Sequence, residues 1–370
     1  MMTNRIIFAT LALCCQLGTF AQGQNLPRAI MAGEELQKSR KEIRMPDIDG
    51  YKIMKCDFHI HTIFSDGIVW PSYRVHEAWE EGLDAIAITE HIEGHPSKKG
   101  VVKGNHNLSF ENAEEEARRK NIILIKGGEI TRSMPPGHLN ALFVENVNEL
   151  DRPDYMEAIE NAHKQGAFIL WNHPGWGVDE IKWHDVHEEL YRKGWIDGIE
   201  VFNEKEWYPV ALNWVNSRNL TLVGNTDIHG INDRFYDLEN GHRPMTLVLA
   251  KERSLESIKE AMFDRRTMIY FYNTLMGKEE YLRKFFEGSV KVGKPYYSDS
   301  KNSYVSICNE SDVPFTLKKS SEKNGYPETI SIPSGRTVIV NISKDVSGGA
   351  EYEVTNMIIT PEKNLCVNLF

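Results

Sequence analysis

From residue 51 onward the chain alternates between two textures. Short apolar runs occupy 51–57, 83–89, 122–127, 139–144, 167–171, 198–202, 221–224 and 245–250. Between most of them, over 71–81, 109–120, 154–165, 179–193, 209–218 and 254–265, apolar residues recur at helical spacing. The first pattern predicts strands and the second predicts amphipathic helices. Pro71 suits the first turn of its helix, and Gly82 and Gly166 suit helix ends. Strands alternating with helices predict a mainly parallel sheet, and this many repeats predict a closed or nearly closed barrel.

The texture changes after about Gly288. Short β-prone runs at 304–308, 329–332, 337–342 and 351–355 are separated by turns such as Asn324-Gly325, Pro333-Ser334-Gly335 and Gly348-Gly349. This predicts a small antiparallel sandwich of roughly 80 residues, near the lower size for independent folding. At the other end, Arg5 precedes an apolar stretch over 6–17, and Thr19-Phe20-Ala21 offers a cleavage site before Gln22. That order predicts a signal peptide and export to the periplasm or beyond. Cys14 raises lipid attachment, but Leu13 stands where a small residue is expected, so soluble export is preferred. The expected organisation is a signal peptide over 1–21, an extension over 22–50 with a short helix at 32–41, a barrel over 51–288 and a sandwich over 289–370.

Composition narrows the function classes. The chain has 370 residues, 41% hydrophobic and 26% charged, ordinary for a soluble globular protein. Its net charge of -10, with no dense basic run, argues against a groove for a nucleic-acid polymer but allows a small anionic substrate. No apolar run reaches the length of a membrane span. Beyond Ala21 only Cys56, Cys308 and Cys366 remain, too widely spaced for a disulfide framework or a zinc knuckle.

Candidate chemistry gathers at the strand ends. The first strand runs into Cys56-Asp57-Phe58-His59-Ile60-His61-Thr62, followed by Asp66. Residues two apart in a strand share a face, so His59 and His61 project together and suit a transition metal. The second strand ends in Thr89-Glu90-His91 and the third in Gly128-Glu129. The next opens at Gly137-His138, the fifth ends in Asn172-His173-Pro174, and a late one ends in Thr226-Asp227-Ile228-His229. In α/β barrels the loops at the C-terminal strand ends meet over one mouth. A core histidine explains any one of these residues alone; it does not explain the series.

Together Asp57-Phe58-His59-Ile60-His61-Thr62, Ser65-Asp66-Gly67, Thr89-Glu90-His91, Glu129, His138, His173 and Asp227-Ile228-His229 resemble the motif series of the PHP (polymerase and histidinol phosphatase) family, over roughly 51–275. The resemblance implies a distorted (β/α)7 barrel with a trinuclear metal centre. One ion would take His59, His61, Glu129 and Asp227; a second Glu129, His138 and His173; a third Asp66, His91 and His229. Zinc, iron and manganese all suit imidazole with carboxylate. Such a centre hydrolyses phosphate esters with a metal-bound hydroxide as nucleophile, because closely spaced cations offset anionic repulsion and lower the pKa of water. The expected activity is that of a phosphodiesterase, a phosphomonoesterase or both, on a small ester. Export argues against a cytoplasmic biosynthetic phosphatase.

Around this centre, Glu129 and His91 are expected to take part in catalysis, with His95 as a general acid and Arg243, Arg132 or Arg234 forking onto phosphate oxygens. Each arginine also reads as an exposed loop residue, and His95 as a surface histidine. Glu90 is expected to orient His91, and Asn203 to hydrogen-bond near the mouth. His76, His163, His184 and His187 fall in helical patterns and are expected at solvent or against helix neighbours. Trp171 with Trp176, and Trp207 with Tyr208, either wall a pocket or cap the core. Two other classes stay open. Amidohydrolases also place His-x-His on the first strand of a barrel, but no strand-end lysine here is suited to bridge metals. A non-catalytic role in binding carbohydrate or a partner through the sandwich is the other.

Overall fold

The computed structural model describes residues 39–93 and 105–370. The first part contains β1 (Lys52–Asp57), α1 (Pro71–Glu80), β2 (Ala85–Ile88), α2 (Leu108–Lys120), β3 (Ile123–Ile130), β4 (Leu139–Leu142), α3 (Tyr155–Lys164), β5 (Phe168–Trp171) and α4 (Asp185–Arg192). It continues with β6 (Gly198–Asn203), β7 (Glu206–Trp207), α5 (Pro209–Arg218), β8 (Thr221–Asn225), α6 (Asn232–Phe235), β9 (Met245–Ala250), α7 (Leu255–Phe263), β10 (Thr267–Phe271), β11 (Thr274–Gly277) and α8 (Glu279–Ser289). Local chemistry sets several boundaries. Asp154 caps α3 by accepting from Met156 N at 2.9 Å, and Ser254 caps α7 through Ser257 N at 3.1 Å. Asn121 and Asn219 end α2 and α5 in the left-handed conformation.

The ladders run β9-β1-β2-β3-β4-β5-β6-β8, with β10 on the far side of β9. Strands β1, β2, β3, β5, β6, β8 and β10 point one way; β4 and β9 point the other. A parallel return needs a crossover of about a dozen residues or more, and the short link from β3 leaves β4 no choice but to reverse. The reversal matters: residues preceding β4 and β9 lie at the same rim as the C-terminal ends of the other strands. The sheet curls until β8 meets β9 and β10. Thr267 Oγ1 donates to Leu222 O at 2.7 Å, and Thr246 Oγ1 both accepts from Gly224 N and donates to Gly224 O. A Cβ on Gly224 would come within 2.4 Å of Ile269, so glycine allows the approach. Inside lie Cys56, Phe58, Ala85, Ala87, Leu142, Phe168, Leu170, Val223 and Val248, all fully buried.

Three expectations need correction. The helix expected over 179–193 is only α4, because the chain after β5 first wraps around the rim. Residues 39–41 are not helical; the rest of the helix expected at 32–41, like the signal peptide, lies outside the described residues. Strands β10 and β11 and helix α8 were not foreseen, although β10 is one of the strands on which the curled sheet closes. Among the described residues, no helix is long and apolar enough to cross a membrane.

The C-terminal segment is all β: β12 (Val290–Val292), β13 (Tyr297–Ser298), β14 (Asn302–Asn309), β15 (Phe315–Lys319), β16 (Thr329–Ile332), β17 (Thr337–Ser343), β18 (Ala350–Thr360) and β19 (Lys363–Leu369). One sheet is built on β14 with β12, β13 and β17; the other orders β16-β15-β18 with β19 on β18. The second sheet continues into the barrel, since β18 pairs in parallel with β11. The two parts also share a core in which Leu282, Phe285 and Phe286 of α8 pack with Ile307, Phe315, Leu317 and Val354. Phe315 is fully buried, with ring centroids 5.2 Å from Phe286 and 6.4 Å from Phe285.

All eight tryptophans precede residue 290, so tryptophan fluorescence reports only the barrel segment. Phe315→Ala is expected to cost about 3–5 kcal/mol and to lower the denaturant midpoint read by that signal. An unchanged midpoint would show that the two parts unfold independently.

Candidate metal centre

The rim is assembled by backbone pairing carried past the strand ends. Asp227 N donates to His59 O at 2.9 Å and His61 N to Ile228 O at 3.1 Å, so the first and last ligand-bearing segments run side by side. Glu129 N donates to Glu90 O at 2.9 Å, setting the third strand end beside the second. Asn172 N donates to His138 O at 3.0 Å, tying the start of β4 to the end of β5. His173 and Asp227 hold positive φ, at 21° and 51°, a strained backbone of the kind found where a side chain must be aimed.

All nine residues that the sequence nominates as ligands meet here. Their donor atoms form overlapping groups: His59, His61 and Glu129; His59, His173 and Asp227; His91, Glu129 and His138; and His61, Asp66, His91 and His229. His59 Nε2 and His61 Nε2 are 3.0 Å apart, and Asp227 Oδ1 lies 3.2 Å and 3.1 Å from them. Glu129 is central. Its oxygens lie 2.5 Å from His91 Nδ1, 2.8 Å from His138 Nδ1, 3.6 Å from His173 Nε2 and 3.7 Å from His59 Nε2. Asp66 reaches His229 Nε2 at 3.1 Å and His91 Nε2 at 3.4 Å. Ligands about 2.1 Å from a tetrahedral ion sit about 3.4 Å from one another, so this spacing fits shared cations.

The electrostatics point the same way. Burial opposes ionisation of Glu129 and Asp227, yet the surrounding imidazoles outweigh it and hold both carboxyls well below their usual range. Asp66 is likewise held down against burial by His229 and His91. Burial disfavours charge on His91, but Glu129 and Asp66 lift it to about 10; His61 falls to about 3, chiefly through burial, with His229 and His91 adding to it. Buried Glu129 Oε2, Asp227 Oδ1 and His138 Nδ1 make no aligned hydrogen bond despite these short distances. Charged carboxylates facing an orphaned imidazole nitrogen are a site that calls for positive charge, and divalent cations supply it without protons. The donor set therefore fits metal.

Supporting residues are set differently from expectation. Glu90 does not orient His91, because neighbours along a strand project to opposite faces. Its buried carboxylate instead accepts from Thr62 N at 3.1 Å and from the hydroxyls of Thr62 and Ser65, fixing the loop that leads to Asp66. His91 Nδ1 lies 2.7 Å from Thr131 Oγ1. Arg243 also departs from its expected role as a phosphate fork. It is 1% exposed and ion-paired with Asp57 and Glu81, and it donates to Thr226 Oγ1 at 3.1 Å, so both terminal nitrogens of the fork are already engaged. Arg132 pairs with Glu93, and Arg234 is exposed. His95 lies outside the described residues. Asn203 donates to Glu200 Oε2 at 2.9 Å.

Two positioning residues escaped the sequence reading. Glu200, fully buried in β6, lies 2.9 Å from His59 Nδ1 and accepts from Asn225 Nδ2 at 2.8 Å and His173 N at 2.9 Å. A lone carboxylate in the apolar run Gly198-Ile199-Glu200-Val201-Phe202 was the available signal. Arg74, buried in α1, donates to His61 O at 2.9 Å and Ile228 O at 3.0 Å. Nothing in its helical pattern marks it. His187 is corrected too. It is fully buried, stacked 3.8 Å from Trp171, with Nε2 2.7 Å from Pro136 O. Trp171 thus caps the core, whereas Trp176 is 62% exposed.

Fold and site together define a barrel protein with a multidentate metal centre at its C-terminal rim. A family model described as an Ig-like domain matches residues 290–370. No curated protein matches the chain. A crystal structure from Bacteroides vulgatus ATCC 8482, of a two-domain protein containing a predicted PHP-like metal-dependent phosphoesterase, is 45% identical, with 89% of this chain and 98% of that one covered and a TM-score of 0.85. An amidohydrolase from Chromobacterium violaceum is 13% identical over 48% of this chain and 88% of its own, TM-score 0.37. A lesion-specific endonuclease from Pyrococcus furiosus is 14% identical over 62% and 60%, TM-score 0.38. At such scores neither of these two bears on this chain's activity. The chain belongs to the PHP-like family, in the two-domain form with a C-terminal Ig-like domain.

Glu200→Gln is expected to weaken metal binding by about 10–100-fold, measured by calorimetric titration of metal into stripped protein. Unchanged affinity would show that Glu200 does not act through His59.

Proposed function

We propose that this protein is an exported hydrolase of small phosphate esters, phosphodiesters foremost, working with three divalent transition-metal ions. The observation that carries the reading is the convergence of five imidazoles, His59, His61, His91, His138 and His173, on one fully buried carboxylate, Glu129, with Asp66 and Asp227 on either side. Divalent cations in such a donor set offset the charge of a phosphoryl group and lower the pKa of water toward neutrality. His59, His61, Glu129 and Asp227 would hold the innermost ion. Glu129 would be shared with His138 and His173, while Asp66, His91 and His229 would hold the outermost.

Burial grades along this series. His59, His61 and Glu129 are fully buried, while the side chains of Asp66 and His229 are 40% and 36% exposed. The inner ligands exclude bulk water and keep their donor atoms fixed; the outer ones face an arriving ester. The family likeness supports phosphoester chemistry, and the acidic net charge, with no dense basic run, supports a small ester over a nucleic-acid polymer. Export rests on the N-terminal pattern Arg5, 6–17 and Thr19-Phe20-Ala21.

Elemental analysis of metal-reconstituted protein is expected to find about three ions per chain, and Asp66→Asn to retain one fewer. The loaded wild type is expected to release nitrophenol faster from bis(p-nitrophenyl) phosphate than from p-nitrophenyl phosphate, and to lose both activities to a chelator. Fully loaded protein that turns over neither ester would end the proposal.

A further inference from the structure

A cleft of about 520 Å³ opens beside the cluster, from His138 and His173 outward to Met134, Trp176 and Val178. The Glu93–Arg132 ion pair also lines it. The guanidinium is already engaged: beyond Glu93 it donates to Thr131 O at 3.1 Å and Arg152 O at 2.8 Å. Among the lining residues, no unpaired side-chain cation remains beyond the histidines to receive a second phosphate. The remaining wall sets Met134, Trp176 and Val178 beside the uncharged hydroxyl residues Thr131 and Ser133, so the cleft suits a neutral group.

Its most conspicuous surface is the indole of Trp176. Tryptophan is seldom so exposed, and here it stands on a constrained turn. Trp176 N donates to His173 O at 2.9 Å, closing the turn His173-Pro174-Gly175-Trp176-Gly177. Gly175 is pressed against Tyr208, where a Cβ would come within 2.6 Å of the ring, and Gly177 holds φ of 69°. The indole leans toward two residues of the cluster, with centroids 5.4 Å from His138 and 5.7 Å from His173. An aromatic face carried on a constrained turn, open to solvent and adjacent to the cluster, can stack a flat group.

We propose that Trp176 is a stacking platform and specificity residue for esters carrying a flat, uncharged organic group, an aryl or nucleobase-like ring, held in this cleft while the phosphoryl group lies at the cluster. The inference rests on the phosphoester reading above. Phosphonates test it without hydrolysis: their binding to metal-reconstituted protein is read directly by calorimetry. Wild type is expected to bind phenylphosphonate about tenfold tighter than methylphosphonate. Trp176→Ala is expected to bind the two alike, with methylphosphonate affinity unchanged, and Trp176→Phe to keep most of the preference. Equal binding of both by the wild type, or a preference that survives in Trp176→Ala, overturns the platform and leaves the phosphoester reading standing. Failure of loaded wild type to bind either phosphonate overturns both.

Discussion

The centre depends on one lateral seam, where the segment leaving β1 lies against the segment leaving β8. Backbone hydrogen bonds from Asp227 N to His59 O and from His61 N to Ile228 O form it, and the buried Arg74 guanidinium clamps both strands through His61 O and Ile228 O. Ligand groups tolerate little displacement, since a few tenths of an ångström changes whether a donor reaches its ion. Side chains alone, hinged at several rotatable bonds, would not hold that tolerance. Here the main chain supplies it, with Asp227 and His173 taking positive φ where their side chains are aimed.

Beneath the seam is a second layer of buried charge. Asp57, between Cys56 and Phe58, accepts from Thr226 and pairs with Arg243, which pairs in turn with Glu81. Burial pushes Glu81 up to about 7 even with Arg243 beside it, a sign of how costly an unpaired charge is at this depth. Removing one member of such a pair costs about 3–5 kcal/mol, more than most single contacts contribute. That magnitude accounts for Arg243 being a structural residue: both terminal nitrogens of its fork are engaged by Asp57, Glu81 and Thr226, and the whole guanidinium is buried. Glu200 plays the matching part on the other side, orienting His59 while satisfying the Asn203 and Asn225 amides.

The Ig-like part is fastened to the barrel by the same physics as any core. Strand β18 extends the barrel's own sheet, and α8 places Phe285 and Phe286 against Phe315. Burying aromatic side chains of this size contributes about 1.5–3 kcal/mol each, which a sandwich of this small size needs. Its attachment along β11, beyond the last ligand-bearing strand end in the chain, makes it a support for the fold.

Much of the barrel and its ligands was readable from the chain. Apolar runs at strand length with helical patterns between them marked most strands and helices, and His-x-His, Thr-Glu-His and Asp-Ile-His marked the residues of the rim, because alternation along a strand is a local rule. Strand direction was not local: β4 and β9 reverse because of link length and neighbour pairing, which placed His138 and Arg243 at the same end as the rest. Nor were β10, the buried state of His187, or the tasks of Arg74, Glu200 and Arg243, since each depends on which distant group arrives beside it. Periodicity in the sequence determined where ligands stand on their own strands. Only packing in three dimensions decided which of the other polar groups face the ions and which hold them there, because a charge takes its role from its partners and its burial.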